Sequence, residues 1–436
     1  MDFSKRIGKL SPDGIFALDG YFVWCGTMTR DADGLYYLFF SFWEKKLGFD
    51  AWVTHSKIGY ATGKDPFGTF DYQGIALDGR GFGWDRDCVH NPSVIRHNGK
   101  YYLYFSHQQI CTGVAVADAP EGPYTDALGK PLLPQGLVDT PSYDPAVFID
   151  DDEAKTPYIM WGFTCCGKKY HIARLNEDMI SLAEEPRPIE HGPFWSDAPW
   201  LWKHNGLYYL MTHRSWYSTA ESIYGPYTYR GRFCHDCNNV DHPCVFDFHN
   251  QTYFAYGVPA NYGQGETDPY FRATKILYAH YKTNGEIVID EFLQDKGVGQ
   301  YDTSWGRIKG EWYFAASDGI FKKENGDGFE MQGITDGAYL YYQNVHGMAE
   351  NTRVLVRGKC EHAPCTIEVR EGGKDGGLLG SVICEPECAI EHGDTREFPI
   401  DLTNTAGTHS LCFVFRGEGE ELFVFEDFHF VRPVIS

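Results

Sequence analysis

The chain has 436 residues, 43% hydrophobic, 16% aromatic and 22% charged, enough for a sizeable core in two domains or in one large and one small. A formal net charge of −22 argues against nucleic acid and anionic membrane surfaces as partners. No apolar run reaches membrane-spanning length, and the opening MDFSKRIGKLSPDG lacks the apolar core of a signal peptide, so a cytoplasmic protein is expected.

Many short Tyr, Phe and Val runs, 48 glycines and the lack of long stretches at 3.6-residue spacing predict an all-β chain. One phrase recurs along it: CGTMTRDADGLYYLFFS from Cys25, NPSVIRHNGKYYLYFS from Asn91, DPAVFIDDDEAKTPYIMWG from Asp144, APWLWKHNGLYYLMTH from Ala198 and HPCVFDFHNQTYFAYG from His242. Each copy has a small or Pro-containing opening, an apolar strand, a polar turn and a second strand rich in Tyr or Phe. Asp-Gly and Asn-Gly are strong hairpin signals, because a type I′ turn needs positive φ at both central positions. The copies recur roughly every 45 to 65 residues, as the blades of a propeller would, so five copies predict five blades. Segments such as KIGYATGKDPFGTF and AESIYGPYTYRG, each a strand, a polar loop and a Pro-containing turn, fit the outer half of a blade.

In a propeller the innermost strands run alongside one axis, so their starting residues converge on one mouth. Those residues are Cys25-Gly26, His90-Asn91, Asp144, Asp197 and Asp241-His242. Carboxylates and a histidine brought to one polar funnel make a chemical constellation. Thirteen cysteines accompany no export signal. The adjacent pair Cys165-Cys166 and the CHDC of Cys234 and Cys237 are read as reduced thiols, since no second CxxC follows at zinc-ribbon distance.

The motifs resemble those of the five-bladed propeller glycoside hydrolases of family 43 and its relatives. YDPAVFIDDD matches that family's third blade, SDAPWLWKHNGLYYL with YGPYTYRG its fourth, and DHPCVFDFHNQTYFAYG its fifth. The resemblance covers roughly the first 300 residues. The remainder resembles a family 6 carbohydrate-binding module, a β-sandwich of jelly-roll type, through GEWYFAASDGI, GFEMQGITDGAYLYYQNV and CTIEVREGGKDGGLLGSVIC. Alternation in TIEVRE and LCFVF reads independently as half-buried strands. The expected organisation is a catalytic propeller over 1–303 and a sandwich over 304–436. The Gly-Trp segment usual in such modules is replaced by HGDTREFPIDL, which favours a structural role for the sandwich over sugar capture.

The resemblance implies a glycoside hydrolase acting on small glycosides or oligosaccharides, exo-acting and inverting, with pentosides such as arabinofuranosides or xylosides as first substrates. Inversion needs one carboxylic acid to protonate the leaving oxygen and one carboxylate to activate water, roughly 6.5–9.5 Å apart. Carried over by position, Asp197 is the general acid and Asp144 the residue that tunes and orients it. Two departures stand out. Asp197 is one methylene shorter than the Glu usual there. Cys25-Gly26 replaces the Asp-Pro that supplies the base, so Asp19 is taken as base, with Asp50 and Asp87 as rivals. His90, Asn91 and His242 are expected to meet sugar hydroxyls, and Trp24 to stack on a sugar face. The family's fifth-blade histidine helps hold a central hydrated cation, which makes His242 the ligand for a structural Ca2+. The chemistry itself requires no cofactor. The departures leave two other readings: a carbohydrate-binding propeller without hydrolysis, and a transglycosidase or phosphorylase on the same scaffold.

Overall fold

The structure, a computed structural model, describes residues 16–431 apart from 17, 25, 32, 65, 67–69, 81, 85–87, 194–195, 213–215, 233–240, 260–271, 294–295, 327, 361–362 and 387–394. The described chain is nearly all strand, with one short α-helix at Trp52–His55. No described helix is long and apolar enough to cross a membrane. By compactness the chain falls into two units, one drawn from Ser11–Val245 and Ala255–Ile276, the other from Phe246–Phe254 and Leu277–Ser436.

The first sheet holds β1 (Tyr21–Trp24), β2 (Met28–Arg30), β3 (Tyr36–Glu44), β4 (Lys57–Gly63) and β5 (Asp71–Leu77), with β1 and β2 both paired to β3. The second runs β6 (His90–His97), β7 (Lys100–His107), β8 (Cys111–Ala117) and β9 (Thr125–Asp126). The third runs β10 (Ala146–Ile149), β11 (Pro157–Trp161), β12 (Tyr170–Arg174) and β13 (Arg187–Ile189). The fourth runs β14 (Trp200–His204), β15 (Leu207–Met211), β16 (Trp216–Ala220) and β17 (Thr228–Arg232). A fifth runs β18 (Asp241–Phe248), β19 (Gln251–Pro259), β20 (Arg272–Tyr281) and β21 (Ile287–Ile289). Five repeats have thus become five sheets, the first of them with an added strand, β1, ahead of its phrase.

The Asn-Gly turns are those the dipeptide demands, whereas at Asp33-Gly34 only the glycine has positive φ, 89°. Asn98 and Gly99 have φ of 48° and 80°, and Asn205 and Gly206 repeat those values, the positive pair of a type I′ turn. The aromatic second strand of each phrase then serves two neighbours, because alternate side chains leave opposite faces. On β7, Tyr101, Leu103 and Phe105 pack with Phe39 of the first sheet, while Tyr102 and Tyr104 pack with Trp161 of the third. On β15, Tyr208 and Leu210 pack with Tyr170 and Ile172. The core therefore lies between blades.

The sandwich has strands β22 (Tyr301–Asp302), β23 (Ile308–Lys309), β24 (Ala315–Ala316), β25 (Phe321–Asn325), β26 (Gly328–Ile334), β27 (Tyr339–Met348), β28 (Asn351–Cys360), β29 (Cys365–Glu371), β30 (Leu378–Cys384), β31 (Arg396–Thr403), β32 (Gly407–Gly417) and β33 (Phe423–Val431). One sheet is ordered β22-β27-β32-β29-β30 and the other β25-β26-β33-β28-β31. Their inner faces meet on aromatic rings, with Tyr342 and Phe413 centred 4.8 and 4.9 Å from Phe428. The same unit buries a polar chain. His280, 1% exposed, donates from Nε2 to Asp290 at 2.9 Å and accepts at Nδ1 from Lys322 at 2.9 Å. Lys309 donates to the other Asp290 oxygen at 3.0 Å and stands 3.6 Å from buried Glu311. Gln251 accepts from Lys322 and donates to the carbonyls of Glu311 at 2.9 Å and Tyr313 at 2.7 Å.

Candidate active site

The mouth is built from backbone before it is built from side chains. Asn91, Asp144 and Ala198 each precede a proline, and each has a left-handed backbone, with φ of 50°, 55° and 47°. That conformation costs a residue with a Cβ roughly 1–2 kcal/mol, so the surroundings must hold it. They do so through hydroxyls at the ends of the repeated phrases. Ser41, closing β3's Phe-Phe-Ser, accepts from the Asn91 N–H at 2.8 Å. Ser106, closing β7's Tyr-Phe-Ser, accepts from the Asp144 N–H at 2.9 Å. At the fourth blade the Asp144 carboxylate takes over that task, accepting from the Ala198 N–H at 3.2 Å.

A second tier of hydroxyls repeats one step further along. Thr27 accepts from the Val94 N–H at 2.9 Å and Ser93 from the Val147 N–H at 3.1 Å. Thr27 thus stands to the second blade as Ser93 stands to the third, which registers Gly26 with Pro92 and Cys25 with Asn91. Gly26 is there for space: a Cβ would fall 1.9 Å from the Phe39 carbonyl oxygen. Cys25 lies outside the described residues.

Asp144 is 5% exposed. Its two carboxylate oxygens are both engaged, one by the Asn91 side-chain amide and the other by the Ala198 N–H. Burial pushes its pKa well above the usual carboxylate range, and the nearby Asp197 charge adds to the push. Bonds from Asn91, Ala198 and Ser106 pull the other way without prevailing. Asp197 is half-buried, and its backbone carbonyl accepts from the Tyr170 hydroxyl at 3.1 Å. Tyr143 and Tyr170 lie in the field of both carboxylates, and burial is the main reason both phenols are pushed far up. The chain motif did not single out these tyrosines. The one signal available was position, since Tyr143 immediately precedes Asp144.

Between Gly26, Asn91, Asp144 and Ala198 lies a hollow of about 20 Å3, floored by Pro92, Pro145 and Pro199. A space of that size takes a water molecule and not a sugar ring.

The other expected site residues divide. Asn91 and Asp144 touch, and Asp197 acts on both Asp144 and its tyrosine neighbours. His90 is fully buried, its ring edge-on to Trp52 at 5.2 Å, and Trp24 meets the same Trp52 at 5.3 Å. Trp24 is half-buried among Trp43, Phe49 and Trp52, so it packs beneath the mouth. Asp19 is exposed in the turn before β1 and is not brought to the hollow. The four residues of β1 stand between it and the mouth, about 13 Å at the rise of a strand. Asp50 is likewise exposed, and Asp87 lies outside the described residues. His242 falls on β18, but its side chain is not among those described. Among the described residues no group of three His, Cys, Asp or Glu is placed to hold a metal ion.

Residues 27–215 match the model of glycosyl hydrolases family 43, and residues 312–432 that of carbohydrate binding module family 6. An arabinoxylan arabinofuranohydrolase of Bacillus subtilis (strain 168) is 27% identical over 415 residues, covering 82% of this chain and 78% of that protein. A xylosidase/arabinosidase of Bacteroides ovatus is 28% identical over 268 residues, covering 50% of this chain and 78% of its own. Among solved structures, a family 43 arabinoxylan arabinofuranohydrolase from Bacillus subtilis in complex with cellotetraose covers 95% of this chain and 97% of its own, with a TM-score of 0.55 and 22% identity. A family 43 enzyme from Xanthomonas citri complexed with xylotriose covers 62% and 91%, with a TM-score of 0.51 and 24% identity.

Proposed function

Because this chain carries a family 43 glycoside hydrolase domain followed by a family 6 carbohydrate-binding module, we propose that it releases terminal pentose units from small oligosaccharides. Arabinofuranosides and xylosides are the substrates, in keeping with the activities named for its relatives. The observation that carries this reading is the pairing at the mouth of a buried, fully hydrogen-bonded Asp144 with a half-exposed Asp197.

Burial, helped by the Asp197 charge, holds the Asp144 carboxyl above the usual carboxylate range. The general-acid role falls to Asp197 by accessibility. Both Asp144 oxygens already accept hydrogen bonds, and its burial leaves no approach for a glycosidic oxygen. In the proposed reaction Asp197 protonates the leaving oxygen as the C–O bond breaks. Water then adds to the anomeric carbon from the opposite face and gives its proton to a base carboxylate, inverting the configuration. No cofactor enters these steps. A Ca2+ held near His242 would be structural in this scheme.

The test uses 4-nitrophenyl α-L-arabinofuranoside and β-D-xyloside, with proton NMR of the first-formed sugar. Turnover with inverted product is expected, and Asp144→Asn and Asp197→Asn should each lower kcat about 10^2- to 10^4-fold. Azide added to Asp19→Asn, Asp50→Asn and Asp87→Asn should restore turnover, as glycosyl azide, only in the variant that has lost the base. Full activity in both Asp144→Asn and Asp197→Asn would overturn the assignment. Sugar binding by calorimetry without any product would favour a binding propeller instead.

A further inference from the structure

Eight cysteines have described side chains, and six of them, Cys88, Cys111, Cys360, Cys365, Cys384 and Cys412, are buried. Cys165 is half-buried and Cys166 exposed, and their sulfurs are in contact at 2.8 Å. Neighbouring side chains on an extended chain point apart, so this contact needs an unusual backbone. Cys166 supplies it with a left-handed conformation, φ 59° and ψ 36°, inside a short 3-10 turn. The turn holds two thiols together at the surface, a placement that packing does not call for.

The location gives the pair its interest. Thr164, the residue before it, is laced to Ser196, the residue before Asp197. The Thr164 N–H donates to the Ser196 carbonyl at 2.9 Å, the Ser196 N–H donates to the Thr164 hydroxyl at 2.7 Å, and that hydroxyl donates to the same carbonyl at 3.2 Å. The dithiol therefore shares a rigid support with the proton donor.

We propose that Cys165 and Cys166 form a redox modification site at the rim of the acid pair, where hydrogen peroxide converts the two thiols to a vicinal disulfide. The exposed Cys166 sulfur attacks the peroxide: its S–O bond forms, the O–O bond breaks, and one water leaves. The Cys165 sulfur then attacks the sulfenic sulfur, so the S–S bond forms, the S–O bond breaks, and the second water departs with the remaining thiol proton. Overall two thiols and one hydrogen peroxide give one disulfide and two waters. Closing the ring twists the 165–166 peptide and drags Thr164 against Ser196. A displacement of that kind near a proton donor is worth roughly tenfold to a hundredfold in turnover. This last consequence rests on the pentosidase reading; the modification itself does not.

The full chain is treated with hydrogen peroxide, digested without reduction and mapped by mass spectrometry. The peptide carrying both residues should lose two hydrogens, kcat on the pentosides should fall by the factor above, and dithiothreitol should reverse both changes. Cys166→Ser should turn over normally before treatment and keep its activity after it. The proposal is overturned if that peptide keeps its mass while other cysteines react, or if wild type and Cys166→Ser lose activity alike. Absence of hydrolysis by untreated protein counts against the pentosidase reading alone, because the mass map decides the site without turnover.

Discussion

Asp144 and Asp197 differ in what surrounds them more than in what they are. The repeat named both as mouth residues, and the chain order of Asp-Pro and Asp-Ala-Pro was enough to find them. Their division of labour was given by the family resemblance and not by the repeat, which says nothing of the groups 53 and 54 residues away that occupy the Asp144 oxygens. For the base the repeat points to Cys25, no described carboxylate other than Asp144 lines the hollow, and the nearest upstream acid, Asp19, stands a strand away on an exposed turn. Burial of Asp144 also gives a stability prediction. Its raised folded pKa contributes stability that is complete below the unfolded value near 3.8 and is lost as pH climbs through the folded one. Asp144→Asn should therefore gain on wild type in urea midpoint as pH goes from 5 to 9, while its kcat stays low. A variant that lost stability and activity together at every pH would show Asp144 to be mainly a structural residue.

At the scale of elements, the hairpins were legible and the hydroxyls that close them were not. Asn-Gly turns follow from local chemistry, and Asn98-Gly99 and Asn205-Gly206 adopt the positive φ pair that those residues favour. The serine after the aromatic run in the first two phrases looked like ordinary punctuation. It reads as functional only once the next blade's N–H is seen to land on it, a contact 38 residues along the chain for Ser106 and 50 for Ser41. Ser106→Ala should leave the buried Asp144 N–H without a partner, at a cost of about 1–3 kcal/mol. Because that bond holds Asp144 in its left-handed conformation, kcat should drop as well with KM little changed. Equilibrium unfolding and steady-state kinetics on the same preparation test both effects, and Ser106→Thr should recover part of each.

For the molecule as a whole, the repeated phrase and its turn spacing predicted five sheets, while the sandwich came from the family resemblance, with alternation supplying only its half-buried strands. The buried chain through Lys322, His280, Asp290, Lys309 and Glu311 was invisible in advance, since its members come from five separate elements. It gives stability opposing pH dependences. Burial lowers His280 to about 4, so the stability it contributes is complete above its unfolded value near 6.5 and fades as pH falls toward 4. Burial raises Glu311 to about 7, so its contribution is complete below 4.5 and is lost as pH rises through 7. Between pH 7 and 5 the two offset one another. Glu311→Gln removes one side, worth up to ~3 kcal/mol, and leaves acid loss from His280 uncompensated. Scanning calorimetry should show its Tm falling more steeply from pH 7 to 5 than that of wild type; a shallower fall would contradict this account.

The hydroxyl ladder around the mouth also bears on how such a protein can be re-engineered. An acid transplanted with its own blade would arrive without the serine that aims it, since that serine belongs to the blade before. The cassette that keeps a reacting group and its aim together runs from the middle of one sheet into the first strand of the next. Grafting experiments cut at the sheet borders would therefore sever what they intend to move, whereas cuts half a module out of phase would carry it whole.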